Sequence, residues 1–201
     1  MNRFLEVQML LSIYLKDKPH SWGLKLFKRE GVSGIVYDLE IYTKKDSVPT
    51  SGLGLGAKIV LRLIDNVQRE MNFKLYFDNF YTSVDVINAL SNNHGIESHG
   101  TIRSNRMKGA IFESDASLKK KGRGTYDYRL ERHTEVSVVK WLDNKLVHVD
   151  SSYFAVAQVD QRQRWGGNTH SHVEVDSQCV IRGHNKSIGG VDLSDTLLEL
   201  Y

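Results

Sequence analysis

Apolar positions along the chain change their spacing several times, and each change predicts an element. Leu24-Lys25-Leu26-Phe27 and the run Gly34 to Tyr42, rich in β-branched and aromatic residues, read as two strands of a hairpin turning at Gly31-Val32-Ser33-Gly34. Glycine and proline among small polar residues over 46–56 predict a loop. Ile59, Val60, Leu63, Ile64 and Val67 recur at helical spacing and predict a helix over 57–72. Phe73 to Phe77 alternates as a strand ending on Asp78, a second helical pattern fills 83–92, and a short strand follows over 96–102. Strand-like alternation returns at 126–129, 136–141 and 146–149, which predicts a small antiparallel sheet; 151–172 reads as loop, 178–186 as helix and 192–201 as a final helix. This order describes an α/β chain, a mixed sheet flanked by helices and interrupted by a long, mostly β excursion.

Composition fits one packed domain: 201 residues, 40% hydrophobic and 25% charged. The lone Cys179 excludes an internal disulfide and a zinc cluster and reads as a small buried apolar residue. The apolar stretch within residues 4–13 is too short to span a bilayer, Glu6 and Asp17 break its flanks, and no membrane association is expected. Residues 1–22 read as an approach segment ending at Lys18-Pro19-His20.

Charge changes the picture more. The whole chain carries only +3, but nine basic residues stand between Thr101 and Arg132 against four acids. That window is +5 and leaves −2 for the rest. Arg103, Arg106, Lys119, Lys120, Lys121 and Arg123 are the candidate phosphate contacts, because each neutralised phosphate releases condensed counterions. On composition alone a solvated charged loop accounts for them equally well. The run Lys119 to Gly124 reads as too charged and glycine-rich for regular structure.

Two-metal phosphodiester chemistry needs hard oxygen ligands clustered from separate elements. Asp78 stands at a strand's carboxyl end. Asp192 and Asp195 stand three apart at a helix start and share a face, where they equally serve as cap or charge complement to the helix dipole.

Several segments in order carry a resemblance: KPHSWGLKLF (18–27), Gly34-Ile35-Val36-Tyr37-Asp38 to Tyr42, Phe77-Asp78-Asn79-Phe80-Tyr81-Thr82-Ser83, Gly100-Thr101-Ile102-Arg103-Ser104-Asn105-Arg106, Lys120-Lys121-Gly122-Arg123-Gly124, and Asn185-Lys186-Ser187-Ile188-Gly189-Gly190-Val191-Asp192. The chain resembles the piggyBac transposase family. The resemblance implies a ribonuclease-H-like catalytic domain with three aspartates that binds Mg²⁺ (or Mn²⁺) and cuts and pastes DNA at TTAA targets through a hairpin intermediate. It also implies a nuclear location, transposon ends as partners and a homodimer. On this basis 23–102 is the first part of the catalytic domain, 103–176 a basic, mostly β insertion, and 177–201 the C-terminal helical part.

The resemblance makes Asp78 the second aspartate and Asp192 the third, with Asp195 accessory, and expects the first to close the opening strand near Gly31. The run Phe27 to Ser33 has no aspartate. Glu30, one residue away and one methylene longer, is the candidate replacement ligand, although strand neighbours point to opposite faces. Asp38 and Glu40 are weaker candidates. The expectation is therefore a transposase-derived domain with impaired catalysis, shortened relative to the family, with a non-catalytic DNA-binding protein or a decayed fragment as alternatives. His170, His172 and Glu174 alternate on one strand face as a conceivable chelate or a solvated edge, and Trp141 and Trp165 as base-stacking groups or core. Gly52, Gly54 and Gly56 lack the G-K-[ST] of a nucleotide-binding loop.

Overall fold

A computed structural model describes residues 3–10, 26–41, 53–69, 71–107, 109–132, 134–153, 159–166 and 170–187, with single positions 189, 193 and 196. Its first element is a strand, β1 (Arg3–Leu10), where an approach segment was expected. β1 is paired on both edges, with the strand Leu26–Gly31 on one side and the strand Phe73–Phe77 on the other. The hairpin expected after it is present as β2 (Leu26–Gly31) and β3 (Val36–Ile41), with Gly34 at φ 77° and its N–H donating to the Gly31 carbonyl oxygen at 2.9 Å. Strand β2 runs further than hydropathy allows, because its charges are paired. Lys28 Nζ lies 2.8 Å from buried Glu30, and Arg29 donates to Asn66 at 2.7 Å.

Helix α1 (Leu55–Leu63) starts inside the predicted loop and stops short of the predicted end, while Asn66 beyond it turns to Arg29 and Asp38. Strand β4 (Phe73–Phe77), helix α2 (Val84–His94) and strand β5 (Glu97–Thr101) fall where the pattern puts them. Ser83 caps α2 by accepting from Val86 N–H, and Gly95 closes it in the left-handed conformation at φ 61°. The eight-stranded sheet runs β3-β2-β1-β4-β5-β8-β7-β6, with β6 (Tyr126–Leu130), β7 (Ser137–Leu142) and β8 (Leu146–Ser151) joining it through β5. The small antiparallel sheet predicted from 126–149 is thus an extension of the main one. Strands β1, β4 and β5 are mutually parallel and the rest antiparallel, the ribonuclease-H-like arrangement that the sequence predicts.

One face is covered by α1 and α2, whose Ile59, Val60, Leu63, Val86, Ile87 and Leu90 pack on Phe27, Leu75 and Phe77. On the other face Val139, Trp141 and Val149 meet Val175, Val180 and Ile181 of β10 (Ser171–Gln178) and α4 (Cys179–Ser187). Strand alternation separates the layers: Val138 packs with Val84 of α2 while Val139 packs with α4. Among the described residues β10 pairs only with β9 (Val159–Gly166), a two-stranded sheet where the sequence predicts loop over 151–172. The charged run is helical as well: α3 (Asp115–Lys121) is capped by Ser114, begins with an acid and ends in three lysines, so its charges complement the helix dipole. Its Leu118 is buried, and Lys140 holds Asp115 at 2.6 Å.

Candidate functional site

Asp78 is exposed at the carboxyl end of β4, flanked by β1 and β5. Thr101 of β5 donates its hydroxyl to Asp78 Oδ1 at 3.3 Å, and the Asn79 N–H donates to the same oxygen. The Asp78 carbonyl oxygen accepts from Tyr81 N–H at 3.0 Å and from the Thr82 hydroxyl at 2.9 Å, closing the turn behind the carboxylate. Two arginines brace that turn from outside. Arg103 Nε donates to Asn79 Oδ1 at 3.0 Å, and Arg106 Nη1 reaches the carbonyl oxygens of Asn79, Phe80 and Thr82 at 3.1, 2.7 and 3.2 Å. Close packing fixes the position too. A Cβ on Gly100 would collide with Thr82 Oγ1 and the Phe77 carbonyl oxygen, and one on Gly56 with the Phe80 carbonyl oxygen.

α4 brings a group that sequence reading passes over. His184 is nine-tenths buried, its ring 5.0 Å from that of wholly buried His99 on β5, and it feels the charge of Asp78. Burial pushes His184 down to about 4, against the smaller opposing pull of Asp78, so the ring is neutral at pH 7. Burial, then the neighbouring His184, holds His99 well below the usual range. On the opposite face burial holds the Asp150 carboxyl well above its usual range, and neither of its side-chain oxygens has a hydrogen-bond partner among the described residues.

The expected ligands are only partly brought together. Glu30 is buried beside Lys28 on β2, with β1 between it and β4. It pairs with Glu6, which pairs with Tyr76, so it stands two strand spacings, about 10 Å, from β4 and two residues short of Asp78 along it. Gly31 is aligned through Leu5 with Leu75, further from the carboxyl end of β4. The strand beside Asp78 is β1, and its acid is Glu6, in register with Tyr76 and an even number of residues from the Asp78 row. Asp38 and Glu40 on β3 bond to Asn66 and Arg62 instead. Asp192 and Asp195 lie outside the described residues, as does most of the final helix, and among the described residues no three acids, histidines or cysteines converge as a metal cluster.

Of the candidate phosphate contacts, Arg103 and Arg106 are engaged in the turn after Asp78. Lys121 pairs with Glu113 and Arg123 with Asp143 at 2.6 Å, while Lys119 and Lys120 are exposed on α3.

Residues 8–201 match the family model described as Transposase IS4. The chain belongs to that family. Its relatives are piggyBac-derived: it is 28% identical over 191 residues to human PiggyBac transposable element-derived protein 3 and 26% identical over 193 residues to human PiggyBac transposable element-derived protein 2. These alignments cover 94% and 92% of the chain, which spans 32% of the length of each relative. A piggyBac transposase solved in a synaptic complex with hairpin DNA superposes with a TM-score of 0.72 at 20% identity, covering 98% of this chain and 40% of that one. The sheet explains the missed strand: β1 lies inside it between β2 and β4, a place that hydropathy alone does not show.

Proposed function

We propose that this transposase domain binds DNA in the nucleus and holds a divalent cation, Mg²⁺ or Mn²⁺, for phosphodiester cutting and strand transfer at TTAA. The observation that carries the reading is the exposed Asp78 carboxylate at the carboxyl end of a parallel strand, braced by Thr101, Asn79, Arg103 and Arg106. Its hard oxygens fit such a cation in part. Asp192 and Asp195 would supply further carboxylates, and Glu6, through its register beside β4, is a better supported first acid than Glu30. A bound cation would supply Lewis acidity at phosphorus. The chain's own contribution is to orient Asp78 through Thr101 and to border the site with the neutral ring of His184. The bracing costs two candidate cations: Arg103 and Arg106 act on DNA through the shape of the turn, and Lys119 and Lys120 remain for phosphates.

A second reading, a non-catalytic DNA-binding domain, is favoured by one detail: Asp78 Oδ1 already accepts two hydrogen bonds. Nicking of supercoiled DNA in Mn²⁺ separates the two. The catalytic reading expects nicking that requires metal and falls at least about a hundredfold in Asp78→Asn, beyond what loss of an outer-shell partner costs. DNA binding without nicking supports the second reading, and nicking by Asp78→Asn at the wild-type rate contradicts the first.

A further inference from the structure

The β9–β10 hairpin carries an aromatic pair that the Asp78 site does not use. Trp165 is 55% exposed, whereas Trp141 is buried at 2%. Trp165 stands opposite His172 in the ladder, the rings edge to face with centroids 5.6 Å apart. Gln161 and Gln163 are exposed and share the Trp165 face by strand alternation. An open polar cleft of about 560 Å³ is lined by Gln161, Gln163, Arg164 and Asn185, the last lying on α4 directly after His184.

The basic run is fastened to this hairpin. Arg123 Nη1 donates to the Trp165 carbonyl oxygen at 3.1 Å while its Nε holds Asp143 at 2.6 Å. Arg164 lies 3.6 Å from the other oxygen of Asp143, so two guanidiniums share one carboxylate beneath the tryptophan. A Cβ on Gly124 would lie 3.2 Å from the Asp176 backbone, so the segment that follows α3, with Lys119 and Lys120, is set close against β10. Glu174 and Asp176, also exposed, repel phosphates on the β10 side.

We propose that Trp165, with His172 beside it, is a stacking platform for an unpaired nucleobase, and that the backbone of that strand passes on the β9 side towards Arg164 and the α3 lysines. This rests on the reading that the domain binds DNA, and it names the form of DNA. Bases in a duplex are stacked on one another and offer no face to an indole, whereas an unpaired or flipped base does. The glutamines supply amides that can pair with base edges, and the cations neutralise phosphate. Trp165 is in register with His172, seven residues along β10 from the start of α4 at Cys179, so the platform is carried by the hairpin and not by the turn that holds Asp78.

Fluorescence anisotropy with a labelled twelve-nucleotide oligothymidine, and with a duplex of equal length, tests this on the full chain. Wild type is expected to bind the single strand, Trp165→Ala to lose about ten- to a hundredfold for it with less than a twofold change for duplex, and Trp165→Phe to recover most of the loss. Oligothymidine should also quench part of the wild-type tryptophan emission and not that of Trp165→Phe. Trp165→Ala binding the single strand within twofold of wild type overturns the platform and leaves DNA binding intact. Equal losses on both DNAs overturn the platform as well. Binding of neither DNA by wild type overturns DNA binding and the platform together.

Discussion

The neutral ring of His184 makes stability depend on pH in a defined direction. Its folded pKa, about 4, is below the ordinary 6.5, so the unfolded chain takes up the proton first and stability falls with pH across that window. The full contribution, about 3 kcal/mol for a shift of this size, is present above pH 6.5 and lost by pH 4. The stability difference between wild type and His184→Gln, followed by urea unfolding from pH 7.5 to 4, should therefore shift against wild type as pH falls. A difference independent of pH would show that the ring is not buried neutral. Single residues were unevenly legible. The place of Asp78 at a strand end was readable because Phe73 to Phe77 alternates up to it. His184 was not, because a histidine in a polar helical run looks alike whether it faces water or a buried neighbour. Arg103 and Arg106 were assigned to phosphate because sequence shows a guanidinium and not the carbonyl oxygens it meets.

At the scale of elements, the pieces read correctly were those with one clean period. β4, α2 and β5 alternate or repeat over their whole length and have caps such as Ser83 and Gly95. The misread ones depend on partners. β1 has its place from β2 and β4 on either side, Arg29 of β2 and Asp115 of α3 are answered by residues far along the chain, and β9 carries polar side chains on both faces until β10 supplies its ladder. The join between β5 and the turn after Asp78 is the tightest of these contacts, and it yields a prediction. Gly100→Ala places a methyl against a backbone carbonyl that cannot yield, which should cost about 1–3 kcal/mol. In a chain of this length that is a fall in Tm of several degrees. A thermal melt in which Gly100→Ala matches wild type would mean that the turn sits further from β5 than the packing indicates.

For the whole molecule, the continuous sheet has a functional consequence. β4 and β5 end together, with Asp78 at that edge, and the β6–β8 extension joins the sheet through β5 and holds α3 by the Lys140–Asp115 pair. The family was legible from short segments spread along the chain. The neighbour of β4 was not, because it depends on ladder partners, and only the register shows β1 there instead of β2. Calorimetric titration of Mn²⁺ into wild type, Asp78→Asn and Glu30→Gln tests this arrangement most directly. The account predicts that wild type binds the ion, that Asp78→Asn weakens binding about tenfold or more, and that Glu30→Gln, two strands from the site, titrates as wild type. Unchanged binding by Asp78→Asn, or its loss in Glu30→Gln alone, would contradict a metal site built on the carboxyl end of β4.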